Sequence, residues 1–154
     1  MREPRDAIRA WLDLLGASNA IKKSVDTQLR SEFGVSISRF DILSALERAG
    51  PDGLRAGVLS QQLMVTEGNT TQVTAPLIRD GLVKRNAGRD DARIAIFTLT
   101  KKGERLFSKM AADHNHWIGS VFSDLSKSEI AAFRRILRKL NIPNNAAQPG
   151  KDAA

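Results

Sequence analysis

At 154 residues, 42% hydrophobic and 27% charged, the chain has the make-up of one soluble globular domain, and no apolar run approaches the ~20 residues of a membrane span. The amino-terminal stretch MREPRDAIRA carries acidic residues and no apolar signal core, so a cytoplasmic location is expected. Cysteine is absent, which excludes disulfides, thiolate nucleophiles and cysteine-ligated zinc, while a net charge of +7 from 24 Lys+Arg and 17 Asp+Glu favours a polyanionic partner.

Pro4 stands where a first-turn proline is tolerated, and Ile8, Trp11, Leu12, Leu15, Ile21, Val25, Leu29 and Phe33 then recur at roughly helical spacing up to Gly34. One long amphipathic helix is predicted. It exceeds what a small domain needs to cover its own core, so part of its stripe is expected to pack against a second chain. Ser38, with Asp41 behind it, marks the start of another helix, faced by Phe40, Leu43 and Leu46 and ended by Gly50-Pro51. Asp52-Gly53 makes a turn, and Leu54 a short strand.

From Ala56 a short helix carries Leu59 and Leu63 on one face and breaks at Met64-Val65. Thr66, whose hydroxyl suits an N-cap, opens a second helix that Gly81 ends. Leu82-Val83 begins a strand, Ile94, Ile96 and Leu99 form its return, and residues 86–93 between them are polar, glycine-containing and charged at the tip. Helix, turn, helix and a hairpin with a cationic loop is the order of a winged helix-turn-helix, a DNA-reading arrangement. Thr100 is placed to cap a further long helix, with Gly103-Glu104 in its first turn and Leu106, Met110, Trp117 and Val121 along one side toward Phe122. Ser126 and Glu129 form a capping box for a last helix with Ile130, Phe133, Leu137 and Leu140 as its apolar positions. Arg134, Arg135, Arg138 and Lys139 gather toward its C-terminus, where the helix dipole favours cations, and Pro143 is expected to stop it. Residues 143–154 read as a disordered tail.

The wording of the middle segment resembles the MarR family of bacterial transcription regulators. The resemblance is carried by Leu59-Ser60-Gln61-Gln62-Leu63-Met64-Val65-Thr66 at the turn and by Arg79-Asp80-Gly81-Leu82-Val83-Lys84-Arg85 at the exit from the second helix. The wing adds Asp91-Ala92-Arg93, followed by Leu99-Thr100 and Gly103. It covers residues 8 to 140 and implies a mainly α (α+β) fold: one domain over residues 1–142, with dimerisation segments 5–34 and 101–142 around a winged helix-turn-helix at 38–100. It further implies a homodimer that binds a palindromic operator, usually as a repressor, and releases it on binding a small aromatic or anionic effector. Within the family, residues 63–69 are similar to regulators of aromatic-acid breakdown, some of which sense aryl-CoA thioesters.

Helical geometry turns Thr70, Val73, Thr74 and Leu77 toward the core and leaves Glu67, Asn69, Thr71 and Gln72 facing outward, where amide and hydroxyl groups can reach base edges. Ser60 and Thr66 are expected at phosphate, although Thr66 serves equally as a plain N-cap. Pro76 interrupts the second helix of the pair and predicts a local bend. On the wing, Arg89 and Arg93 flank Asp90 and Asp91, and the resemblance gives Arg93 one of two roles: entering the minor groove or bracing the wing through Asp91. Lys84 and Arg85 are phosphate candidates or solvated cations.

Trp11, Phe40, His114, His116 and Trp117 are candidates to line an effector cavity between the terminal helices and the DNA-binding part, with ordinary core packing as the competing reading of each. No cofactor or metal is expected. His114 and His116 would project about 200° apart on a helix, unsuited to one metal, and no phosphate loop or nucleophile elbow occurs, so catalysis is not expected. The rival reading is a winged-helix module that binds RNA or protein instead of an operator.

Overall fold

The computed structural model describes residues 4–63 and 67–142, and the chain divides into two compact units, the first ending at Ile37 and the second beginning at Ser38. The expected cap Thr66 and the tail from residue 143 lie outside the described residues. Among those described, no helix is long and apolar enough to cross a membrane.

The first unit is dominated by α1, Pro4–Phe33, a single 30-residue helix. Gly34, at φ 66°, closes it by donating its N–H to the Arg30 carbonyl, a left-handed stop that suits a residue without Cβ. Ile8, Trp11, Leu12 and Leu15 recur at the spacing of one helical face, and the first three are 56–57% exposed. Further along, Asp26 accepts from Arg30 Nε at 2.7 Å and from the Ile37 backbone N–H at 2.8 Å. The backbone bond to Ile37, followed by the Arg30 bond, holds the Asp26 carboxyl below the usual carboxylate range. That carboxylate moves the expected helix start: α2 spans Ile37–Ala49, opening ahead of Ser38 because Asp26 takes the Ile37 N–H.

In the second unit, α2 is followed by a 3-10 turn, Gly50–Asp52, and by β1, Leu54–Arg55, the short strand expected at Leu54. The helix-turn-helix comprises α3, Ala56–Leu63, and α4, Glu67–Arg79. The hairpin is β2, Val83–Ala87, and β3, Ala95–Leu99, giving an antiparallel sheet of order β1-β3-β2 in which Arg55 and Asn86 both pair with Ile96. Buried Leu46, Leu59, Leu77, Leu82, Val83 and Phe97 form the core beneath it. The last two helices are α5, Lys101–Val121, and α6, Lys127–Arg138. Ser126 and Glu129 make the expected capping box, but α6 ends at Arg138, well short of Pro143. Lys139 and Leu140 there fold their N–H groups onto the carbonyls of Ile136 and Leu137, the tight last turn of a fraying helix end.

The junction of α4 with α5 fixes the reading elements to the rest of the unit. Gly81, at φ 72°, ends α4 in a Schellman motif: Leu82 N–H reaches the Leu77 carbonyl and Gly81 N–H the Ile78 carbonyl, while Leu77 and Leu82 are both buried. Thr100 then caps α5 by accepting from Gly103 N–H, donates its hydroxyl to the Gly81 carbonyl at 2.6 Å, and donates its backbone N–H to the Leu82 carbonyl. Lys102 Nζ adds a bond to the Asp80 carbonyl at 2.8 Å. Gly103 lies so close to Leu82 that a Cβ there would overlap the Leu82 carbonyl, a backbone atom that cannot swing aside. Gly103→Ala should therefore lower stability by about 1–3 kcal/mol through overpacking, read as a fall in the urea midpoint at unchanged slope.

Candidate nucleic-acid interface

The face of α4 divides as helical geometry requires. Thr70, Thr74 and Leu77 are at most 1% exposed, Val73 is half-buried, and Asn69, Thr71 and Gln72 are exposed along the opposite side. Glu67 opens the helix, and its side chain is outside what is described. Pro76 sits inside α4, which nevertheless runs on to Arg79, so the Gln72 carbonyl has no N–H four residues ahead to accept. Thr74 Oγ1 reinforces the same stretch by donating to the Thr70 carbonyl at 2.8 Å, with a longer approach of 3.2 Å to that of Thr71.

Ser60 corrects an expectation. It is 4% exposed and faces inward, its Oγ 2.8 Å from both the Ala56 carbonyl and Thr70 Oγ1, so it is not available to a phosphate. A short helix of eight residues that must bury Leu59 turns the neighbouring Ser60 inward as well, and the spacing of apolar residues does not reveal this.

The wing is a short, internally bonded loop. Gly88 N–H and the Ile94 carbonyl close it at 2.8 Å, and Ile94 N–H reaches the Asp91 carbonyl. Asp91 accepts from the Arg93 backbone N–H, from Nε at 3.1 Å and from Nη2 at 3.2 Å, a two-pronged arrangement that aligns the guanidinium plane while leaving that side chain 91% exposed. Bracing by Asp91 is thus the role the free chain displays for Arg93. Arg89, Lys84 and Arg85 are all exposed, the last two on β2.

One cation went unnoticed in the sequence. Arg55 is exposed on β1, close enough to Asp91 for its charge to help hold that carboxylate ionised, and it lines a groove of about 410 Å³ with Asn86, Arg89, Ile94 and Ile96. Its signal was the two-residue strand itself, because pairing Arg55 with Ile96 puts its guanidinium at the root of the wing.

The residues considered for an effector are scattered in environment. Phe40 is buried, with its ring centroid 4.8 Å from that of His114 and 5.6 Å from that of Phe107, so it belongs to an aromatic cluster of the second unit. Burial pushes the His114 pKa down, against the opposing pull of Asp41. Trp117 is half-buried, while His116 and Trp11 are exposed. Among the described residues no group of three or more His, Cys, Asp or Glu could hold a metal ion.

Comparison with known proteins gives these elements a context. The MarR family model matches residues 33–94, from the end of α1 through the wing. The HTH-type transcriptional regulator YkoM of Bacillus subtilis, itself uncharacterized, is 31% identical over 111 residues, covering 72% of this chain and 71% of YkoM. The HTH-type transcriptional regulator PapX of Escherichia coli is 28% identical over 108 residues, 70% of this chain, which spans 66% of that relative, just under two thirds. Among solved structures, Sco3205, a MarR family transcriptional regulator from Streptomyces coelicolor determined in complex with DNA, matches with a TM-score of 0.79 at 20% identity, covering 90% of this chain and 87% of Sco3205.

The Asp91 clamp makes a testable statement about charge. Arg93, first through its side chain and then through its backbone N–H, holds the Asp91 carboxyl below its ordinary value. A depressed carboxylate contributes order above its unfolded pKa and loses it only as pH falls through the lowered folded value. In an NMR titration Asp91 should titrate below the ordinary ~3.9 of an aspartate, and Arg93→Ala should move it part of the way back.

Proposed function

Because the chain belongs to the MarR family of helix-turn-helix transcription regulators, we propose that it is a sequence-specific, ligand-responsive regulator that binds duplex DNA as a homodimer on a palindromic site and represses from it. The observation that carries this reading is the division of α4: its buried threonines and leucine anchor the helix, while Asn69, Thr71 and Gln72 stand exposed beside an arginine-bearing wing. Asparagine and glutamine suit the two-point pattern of adenine in the major groove, and threonine suits a base edge or a thymine methyl. Arg93 is aligned by Asp91, exposed, and suited to a narrow minor groove, with Arg89, Arg55, Lys84 and Arg85 available to the backbone phosphates. Glu67 and Thr66 complete the proposed reading end.

Two exposed apolar stripes support self-association. One is Ile8, Trp11, Leu12 and Leu15 on α1; the other is Phe133 and Ile136 on α6 with Leu140 just beyond it. A second copy that buries them would remove large apolar side chains from water and set two copies of α4 apart at a fixed distance, as half-sites one helical turn apart require. An aromatic acid or an aryl-CoA thioester is proposed as the effector, acting antagonistically to DNA, with Trp11, Phe40, His114, His116 and Trp117 as lining candidates. Control of aromatic-acid breakdown would follow from such a ligand.

Three measurements test this reading. In gel-shift competition, duplex DNA should displace the bound probe and RNA of the same sequence should not; equal competition would favour an RNA-binding module. Arg93→Ala should leave the melting temperature in place and weaken operator binding roughly ten-fold, with a shallower salt dependence. Sedimentation should give twice the 16.9 kDa chain mass, and Leu12→Glu combined with Ile136→Glu should return it to a monomer.

A further inference from the structure

The interface between α3 and α4 carries hydroxyls where aliphatic side chains would pack at less cost. Ser60 and Thr70 are 4% and 0% exposed, their oxygens 2.8 Å apart. Ser60 Oγ also donates to the Ala56 carbonyl at 2.8 Å, and Thr74 Oγ1 donates to the Thr70 carbonyl from the other side. The two hydroxyls thus form a buried hydrogen-bonded link between α3 and α4. Leu59 and Leu77 supply apolar burial in the same two helices, but apolar attraction has no direction of its own. A short hydrogen bond has one. Thr70 lies between Asn69 and Thr71, so any roll of α4 that breaks the bond also swings those side chains.

We propose that Ser60 and Thr70 are a positioning pair, setting the roll of α4 and hence the side chains it offers to base edges. The proposal rests on the DNA-binding reading above. It assigns no contact with DNA to Ser60, and it distinguishes selectivity from affinity: losing the pair should cost discrimination between sequences and leave the phosphate-driven part of binding as it was.

The test uses the full chain, the tightest duplex it selects from a randomised pool, and a scrambled duplex of the same length and composition. Selectivity is the ratio of the two affinities, measured well below the melting temperature of each variant. Ser60→Ala and Thr70→Val should each lower that ratio roughly five- to ten-fold, and the double variant should lose no more than either alone. Thr70→Ser keeps the hydroxyl and should stay within about two-fold of the parent. Affinity for the scrambled duplex, and its salt slope, should not move in any of them. A pair that served stability alone would change the folded fraction and shift both affinities together. A folded Ser60→Ala with parental selectivity, or losses that multiply in the double variant, would overturn the proposal. If Ser60→Ala does not fold, Thr70→Val against Thr70→Ser decides the same point. A parent chain that binds both duplexes equally removes the DNA reading itself, and the pair's role with it.

Discussion

Every element that could face a nucleic acid depends on how α4 is tied down at its far end. Gly81 turns the chain in the left-handed region, Leu82 folds back over Leu77, and the carbonyls left there are taken by Thr100 and Lys102 at the start of α5. Several polar bonds and one backbone approach that only glycine permits meet within four residues of Leu82's carbonyl partners. Donors of the turn that opens α5 thus take the carbonyls that follow α4, while Gly81 and Leu82 return their own N–H groups to its last turn. A displacement of α5 would be passed to α4 through bonds and close packing, with little slack in between.

The wing works by a different balance. Its cations are exposed and keep their hydration, and the Asp91 carboxylate orders Arg93 without burying it. An exposed ion pair of this kind adds little to stability. Its value lies in orientation, since a guanidinium already aligned loses less conformational freedom on meeting a partner. Arg55 enlarges that cationic margin from a neighbouring strand.

Much of this was legible beforehand, for physical reasons that also explain the exceptions. Signals local in sequence were reliable: the left-handed glycines at 34 and 81, the Thr100 cap, the Ser126–Glu129 box and the inward threonines of α4 all depend on neighbours a few residues away. Features set by distant partners were not. Helix α2 opens before Ser38 because Asp26, eleven residues upstream, takes the Ile37 N–H. Ser60 is expected at phosphate because a serine in a short polar run resembles a surface residue, whereas its buried partner stands ten positions on. Arg55 has no such local signal, because a two-residue strand carries almost no periodicity.

Pro76 leaves the backbone ladder of α4 one bond short. With the Gln72 carbonyl released, the first two turns of the helix are joined to its anchored last turn by fewer backbone bonds than in an uninterrupted helix. The half of α4 that carries Asn69, Thr71 and Gln72 therefore leans more on its sideways hydroxyl link to α3 than a proline-free helix would.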